Sequence, residues 1–319
     1  SFANVSMSLS SGNRYYSNRT YDQMGAYFFT IWASDPAGNW NSSSGSFSMV
    51  GGPPSAPPTD IQASLQGASF EDVRMTWTLS ADDGAGKNDV VAYNIYRGEV
   101  FNASGVGYSL HDSVASGTAQ YVDPGAGEGN PSNFFYQVCS INTNSSIGCS
   151  PDQAGKFTMP LSTGRQLLSI PLIQSDSSVE AAFQTVAFDS VWAYDSLIGE
   201  WETHMDFKAY KGDLSSVSHD AAYWVDVTRD CNFTVAGVVP LETQISLQNG
   251  WNLVGFPSFN PSYAIADLKT ETGASRVEGL DPSATPHCLR VLSDVERIQA
   301  GGGYWVKVDS TTIWTIRNS

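Results

Sequence analysis

The densest group of potential ligands in this chain is the segment Ser80-Ala81-Asp82-Asp83-Gly84-Ala85-Gly86-Lys87-Asn88-Asp89. Within it, Asp82, Asp83, Asn88 and Asp89 bring three carboxylates and one amide into eight residues. Hard oxygen donors at that density suit Ca²⁺, and the glycines permit the tight curvature of a chelating loop. The spacing is not that of an EF-hand, because no bidentate Glu closes it. The same residues equally suit a solvated turn in which Asp and Gly serve backbone geometry. Structural calcium is expected here, with Asp35 and Asn39 as a weaker second site, and no cofactor is required.

Catalytic patterns are absent. His111, His204, His219 and His287 are scattered, with no H-E-x-x-H, no G-x-S-x-G and no nucleophile spaced with its base. Asp195, Glu200 and Glu202 fall on a predicted hairpin, where they decorate a solvent face and do not oppose each other across a cleft as glycosidase carboxyls must. Gly125-Ala126-Gly127-Glu128-Gly129 lacks the Lys of a phosphate loop and reads as a turn. The chain is therefore read as a non-enzyme. Of its nine tryptophans, Trp192, Trp201, Trp224, Trp251, Trp305 and Trp314 lie in the second half. Exposed rings on a β surface can stack sugars. Trp192 and Trp201 are the glycan-binding candidates, because Trp224 and Trp305 recur at equivalent places in an internal repeat and are expected in its core.

The four cysteines form no CxxC and cluster with no histidines, which favours disulfides over metal. Cys139 with Cys149 and Cys231 with Cys288 are the expected bridges; free buried thiols are the alternative. Sequons occur at Asn4, Asn18, Asn41, Asn102, Asn144 and Asn232. Together these features point to an exported, extracellular or cell-surface protein. A formal net charge of -16 argues against nucleic acid and anionic lipid as partners. No apolar run is long enough to span a membrane as a helix. The chain starts at Ser1 without Met or a signal peptide and is read as a piece of a longer protein.

The elements that must carry these residues are mainly strands. Val5–Leu9, Ala26–Ala33 and Ser46–Val50 alternate as β segments, and Gly51–Pro58 is a Pro-stiffened linker. From Thr59 the pattern resumes, with Val73, Met75, Trp77 and Leu79 on one face of a strand. In the second half, Gly164-Arg165-Gln166-Leu167-Leu168-Ser169-Ile170-Pro171 matches Gly250-Trp251-Asn252-Leu253-Val254-Gly255-Phe256-Pro257. Tyr223-Trp224-Val225-Asp226-Val227 likewise matches Tyr304-Trp305-Val306-Lys307-Val308. Such self-similarity defines a duplicated unit. Each copy carries one short helix signal: Ser177-Ser178-Val179-Glu180 as a capping box in the first, and Asn260 as cap with Pro261 at the first helical position in the second.

Three stretches resemble known families. Ala33-x-Asp35-x-x-Gly38-Asn39 resembles the penultimate strand and turn of prokaryotic immunoglobulin-like surface modules. The Pro-rich lead-in, Trp77, Tyr93-x-Ile95-Tyr96-Arg97 and Tyr136-x-Val138-x-x-x-Asn142 resemble the fibronectin type III family, except that Phe134 stands where that family usually has its corner tyrosine. The duplicated GWNLVGFP and GGYWV phrases resemble a module of prokaryotic, especially archaeal, extracellular multidomain proteins. The expected architecture is mainly β: residues 1–50 close an immunoglobulin-like sandwich, 51–58 link, 59–158 form a fibronectin type III domain, and 159–319 form a duplicated α+β module with repeats over about 160–240 and 241–319. The expected role is a structural or adhesive part of a surface protein, such as an adhesin, stalk, surface-layer or filament component. Its expected partners are other surface proteins or copies of itself. The alternative is a non-catalytic accessory region of a secreted hydrolase, with glycans as ligands.

Overall fold

The structure, a computed structural model, describes residues 5–11, 14–16, 25–49, 55–208, 211–281, 283–284 and 288–318. β1 (Ser8–Ser11) pairs with β2 (Arg14–Tyr16), and β3 (Gly25–Ser34) pairs with β4 (Trp40–Met49) along ten residues. The β3–β4 turn is held by Asp35, whose carboxylate accepts the backbone and side-chain N–H of Asn39; those bonds hold its pKa below the usual value. Phe29 lies across Gly45, where a Cβ would come 2.5 Å from the ring, a cross-strand cover for glycine. Tyr27 stacks on Phe47 at 5.3 Å, while Phe28, Trp32 and Trp40 remain well exposed. Among the described residues no third strand pairs beside β3 and β4.

The next strands are β5 (Thr59–Gln66), β6 (Asp72–Thr78), β7 (Val90–Gly98), β8 (Ser109–Ala115), β9 (Gln120–Asp123), β10 (Phe134–Asn142), β11 (Ile147–Cys149) and β12 (Ala154–Leu161). They form two facing antiparallel sheets, β5-β6-β9 and β12-β10-β7-β8, with β11 beside the end of β10. This is an antiparallel β-sandwich. The period-two pattern places Val73, Met75 and Trp77 inside with Tyr93, Ile95 and Tyr136.

Repeat 1 continues with β13 (Gly164–Ser169), α1 (Val179–Ala182), β14 (Phe188–Asp195), β15 (Glu200–Met205), β16 (Ala222–Val227) and β17 (Cys231–Val238). Repeat 2 contains β18 (Glu242–Leu247), β19 (Gly250–Gly255), α2 (Ile265–Thr272), β20 (Arg276–Asp281), β21 (Cys288–Val291), β22 (Gly303–Val308) and β23 (Thr312–Arg317). The sheets are β13-β16-β14-β15 and β19-β22-β20-β21, the same order twice. Register repeats too: Gly164 opposes Val227 as Gly250 opposes Val308, and Leu167 opposes Trp224 as Leu253 opposes Trp305. Gly164 and Gly250 both adopt positive φ, 109° and 107°, which explains glycine at the head of each phrase. Two residues on, the amide of Gln166 donates to Ser162 C=O and that of Asn252 to Gln248 C=O. Buried Tyr223 and Tyr304 each accept a backbone N–H from five residues upstream, Ser218 and Gln299.

Three expectations change here. The boundary between 158 and 159 falls inside β12, because β12 bonds to β10 on one side and to β17 on the other. One sheet, β17-β12-β10-β7-β8, therefore runs from the sandwich into repeat 1. In repeat 2 the corresponding closing strand β23 pairs instead with β18, and a buried core drawn wholly from residues 245–316 fills that repeat. The second helix starts at Ile265, not at Pro261. Asn260 instead accepts the Ser262 N–H in a turn, and Asp267 reaches back to the Ala264 N–H. In repeat 1 a serine caps α1, but it is Ser178, one residue later than the expected box requires: its hydroxyl accepts from Ala181 N–H, which leaves Glu180 in the first turn and not at the reciprocating position. No described helix is long and apolar enough to cross a membrane.

Candidate functional site

Alternation along the repeat strands sends one face of each sheet to its own core and the other toward the second repeat. Leu167, Ala222 and Leu253 are buried in the resulting seam, with Tyr194, Trp224, Leu280, Leu289 and Trp305 packed around them. Trp224 and Trp305 are thus half-buried between the repeats, and it is Tyr223 and Tyr304 that enter the two cores. At the rim of the seam four rings gather. Tyr194 lies 5.2 Å from Trp201 and 5.2 Å from Trp305, and Trp305 lies 5.9 Å from Trp201 and 6.3 Å from Trp251. Trp201 is the open one, 43% exposed. Glu278 stands across from Trp305 and pairs with Arg276 at 2.6 Å, giving the rim charged hydrogen-bonding groups. An aromatic floor with a polar edge can stack the apolar face of a ring-shaped ligand.

Of the two tryptophans expected to bind glycans, Trp201 belongs to this cluster and Trp192 does not. The Trp192 indole N–H donates to the Ser190 hydroxyl, which donates to Asp226, the partner of Arg165 at 2.9 Å. Trp192 is half-buried, and its N–H is engaged within the protein. The Arg165 hydrogen bonds, opposed in part by burial, hold Asp226 below the usual carboxylate range. Tyr194, Trp251 and Trp305 were not among the candidates. Trp251 and Trp305 read as parts of a repeated phrase, and nothing local marks them as neighbours of Trp201.

The acidic loop is used internally. Asp82 accepts the N–H groups of Ala56 at 2.9 Å and Lys87 at 3.1 Å, and the Lys87 ammonium lies 3.8 Å away. The Ala56 bond is the main cause of its lowered pKa. Asp83 accepts the Tyr93 O–H at 2.9 Å and the Gly117 N–H at 2.7 Å. Asn88 sits at positive φ in the turn, and Asp89 keeps one buried carboxylate oxygen without a hydrogen bond. Asp82 and Asp83 thus turn to separate partners, and among the described residues no three His, Cys, Asp or Glu come together as a metal group. The carboxylates of Asp82 and Asp83 stitch the linker end and the β8–β9 turn to the sandwich.

Cys139 and Cys149 are joined, directly opposite each other on β10 and β11. Within the bridge Cys139 is fully buried and Cys149 is exposed. The bridge expected between Cys231 and Cys288 is not formed: both are free thiols. The repeat explains why. Cys231 opens β17, the closing strand, whereas Cys288 opens β21, the counterpart of β15, so the two occupy non-equivalent strands in different sheets. Asn41 and Asn144 are exposed, Asn102 and Asn232 are half-buried, and Asn4, Asn18 and His287 lie outside the described residues.

One buried network had no sequence signal. Asp123 on β9, 2% exposed, accepts from Arg97 at 2.7 Å and Tyr136 at 2.8 Å and lies 3.0 Å from His111, tying one sandwich sheet to three strands of the other. Its partners are 12 to 26 residues away in sequence. Burial first, then the Asp123 charge, pushes the Tyr136 phenol far above its usual pKa. Phe134 lies under the Arg97 guanidinium at 4.5 Å.

No family model matches the sequence, and no curated protein matches it. Among solved structures, a fibronectin-type-III-like protein from Clostridium thermocellum is similar at 20% identity over 30% of this chain and 85% of that one, with a TM-score of 0.23.

Proposed function

We propose that the chain is a non-catalytic, load-transmitting part of a secreted or cell-surface multidomain protein, a stalk, adhesin, surface-layer or filament component. The observation that carries this reading is β12. Hydrogen-bonded to the sandwich through β10 and to repeat 1 through β17, it makes two modules share one sheet. A joint of that kind resists bending in a way that a peptide linker does not. The exposed aromatic β3–β4 ribbon supports contact with other surface proteins or with copies of the chain. The test is peptide-level mass spectrometry, without reduction, of the protein from its native cells after labelling with a membrane-impermeant amine reagent. Labelled lysines, a Cys139–Cys149 linkage and glycans on Asn41 or Asn144 are expected. Unlabelled protein with unmodified asparagines and a reduced Cys139 would refute a surface location.

A second reading, a glycan-binding accessory region of a secreted hydrolase, is favoured by the four-ring cluster at Trp201. Trp201→Ala should abolish binding on a glycan array without altering the melting of repeat 2. Absence of binding by the unaltered protein to every sugar would refute it.

A further inference from the structure

The two repeats meet through the same face of the same sheet, and equivalent residues touch each other. Ser169 and Gly255 end β13 and β19 at matching positions, and a Cβ on Gly255 would lie 2.8 Å from that of Ser169. Ala222 and Gly303 open β16 and β22, and a Cβ on Gly303 would lie 2.9 Å from that of Ala222. A residue that meets its own counterpart sits on a two-fold axis. The backbone obeys the same axis: Ser169 N–H donates to Gly301 C=O at 2.8 Å, and Gly255 N–H donates to Asp220 C=O at 2.9 Å. The isolated bridges Leu168 to Gly302 and Val254 to Ala221 are likewise counterparts. The seam is therefore an isologous interface, the kind that joins identical subunits, formed within one chain.

We propose that repeat 2 is a self-associating docking module, whose partner when it is freed from repeat 1 is a second copy of repeat 2, and that repeat 1 cannot pair with itself. The glycines decide this. Two copies of repeat 2 about the same axis place Gly255 on Gly255 and Gly303 on Gly303, with the Leu253 and Trp305 faces closing around them. Two copies of repeat 1 would set Ser169 on Ser169 and Ala222 on Ala222, with Cβ atoms at separations of 2.8 and 2.9 Å that real Cβ atoms do not tolerate. Each axial contact accepts one Cβ at most, and repeat 2 supplies the glycine both times. Within the intact chain the short Val239–Leu241 connection keeps repeat 1 at high effective concentration, so the intramolecular pairing wins.

Residues 239–319, which carry a complete core of their own, should sediment as a dimer. Gly303→Ala in that fragment should weaken the dimer about tenfold or more while leaving its circular dichroism unchanged. A folded monomer at high concentration, or an undiminished Gly303→Ala dimer, would overturn the proposal. A parallel measurement needs no fragment. In the full chain Gly303→Ala should lower the melting temperature, and Ala222→Gly added to it should recover part of the loss, because the second change removes the Ala222 Cβ but leaves the Leu167 side chain, whose Cγ and Cδ1 also lie 2.9 Å from the new Cβ. Failure of the double variant to recover would equally overturn it.

Discussion

Repeat 1 and repeat 2 have the same sheet order, the same register and the same tyrosine-to-backbone bond, yet they are closed differently. In repeat 2, β18 and β23 come from the repeat itself, and Trp314, Ile316 and Ile245 complete a private core. In repeat 1 the place of β18 is taken by β12, the last strand of the sandwich, and the core that includes Phe233 and Val235 also takes in Phe135 from β10. One duplicated unit has thus become a free-standing module, while its twin is fused into its neighbour. Phe259 crosses back to clasp the fused pair, packing edge-to-face against Phe135 at 4.7 Å and tilted against Phe157 at 6.0 Å. The difference teaches that a strand's own pattern leaves open which module it belongs to; that depends on what bonds to its two edges.

The largest effects should come from the two cores. Trp314→Ala should cost about 3–5 kcal/mol, since a fully buried indole leaves a large cavity and takes with it one hydrogen bond to the Tyr263 hydroxyl. By hydrogen exchange, amides of β18–β23 should lose protection while β5–β10 keep theirs. Phe233→Ala should cost a similar ~3–5 kcal/mol, but its loss of protection should spread through β12 into β10. If both variants gave the same protection map, the contrast between fused and free repeats would collapse.

Replacing Cys139 and Cys149 together by Ser should cost about 2.8 kcal/mol by loop entropy. Calorimetry should show the sandwich and repeat 1 melting earlier together, with repeat 2 least affected. The helix caps come next: Ser178→Ala should cost about 1 kcal/mol and Asp267→Ala about half that, because Ser178 satisfies a helix-interior N–H and Asp267 only the cap's own. A urea titration of each single variant reads both.

The pH dependence separates the two repeats as well. Burial pushes Lys156, on the shared strand β12, down from 10.5 to about 8, while its ammonium donates to the Asn130 and Ser132 carbonyls. Between about 8 and 10 the unfolded chain holds a proton that the folded chain has released, so this group makes stability rise with pH. Above 10 the sign reverses. Tyr93, Tyr108, Tyr121, Tyr136, Tyr223 and Tyr263 are all raised, chiefly by burial, so the unfolded chain then loses protons that the folded chain keeps. The counterpart of Lys156 in repeat 2, at the same register on β18, is the exposed Glu242, so no buried lysine stands there. Lys156→Gln should therefore remove the rise between 8 and 10, as read by denaturant unfolding at stepped pH.

Much of this was written locally in the chain. Alternation placed Val73, Met75 and Trp77 inside, and the repeated phrases located β13, β16, β19 and β22. Ser177 and Ser178 marked their helix, and the spacing of Cys139 and Cys149 marked their bridge, because these features depend on backbone period and near neighbours. Tertiary structure alone decided that β12 serves two modules, that Asp123 gathers Arg97, His111 and Tyr136, and that Trp201 joins Trp251 and Trp305. It also set Cys231 and Cys288 on strands that do not correspond, and laid Gly255 and Gly303 on the axis between the repeats. The physical reason is common to all of them. Periodicity dictates which way a side chain points, whereas the partner it meets is chosen by edge pairing and face packing between segments far apart in the chain.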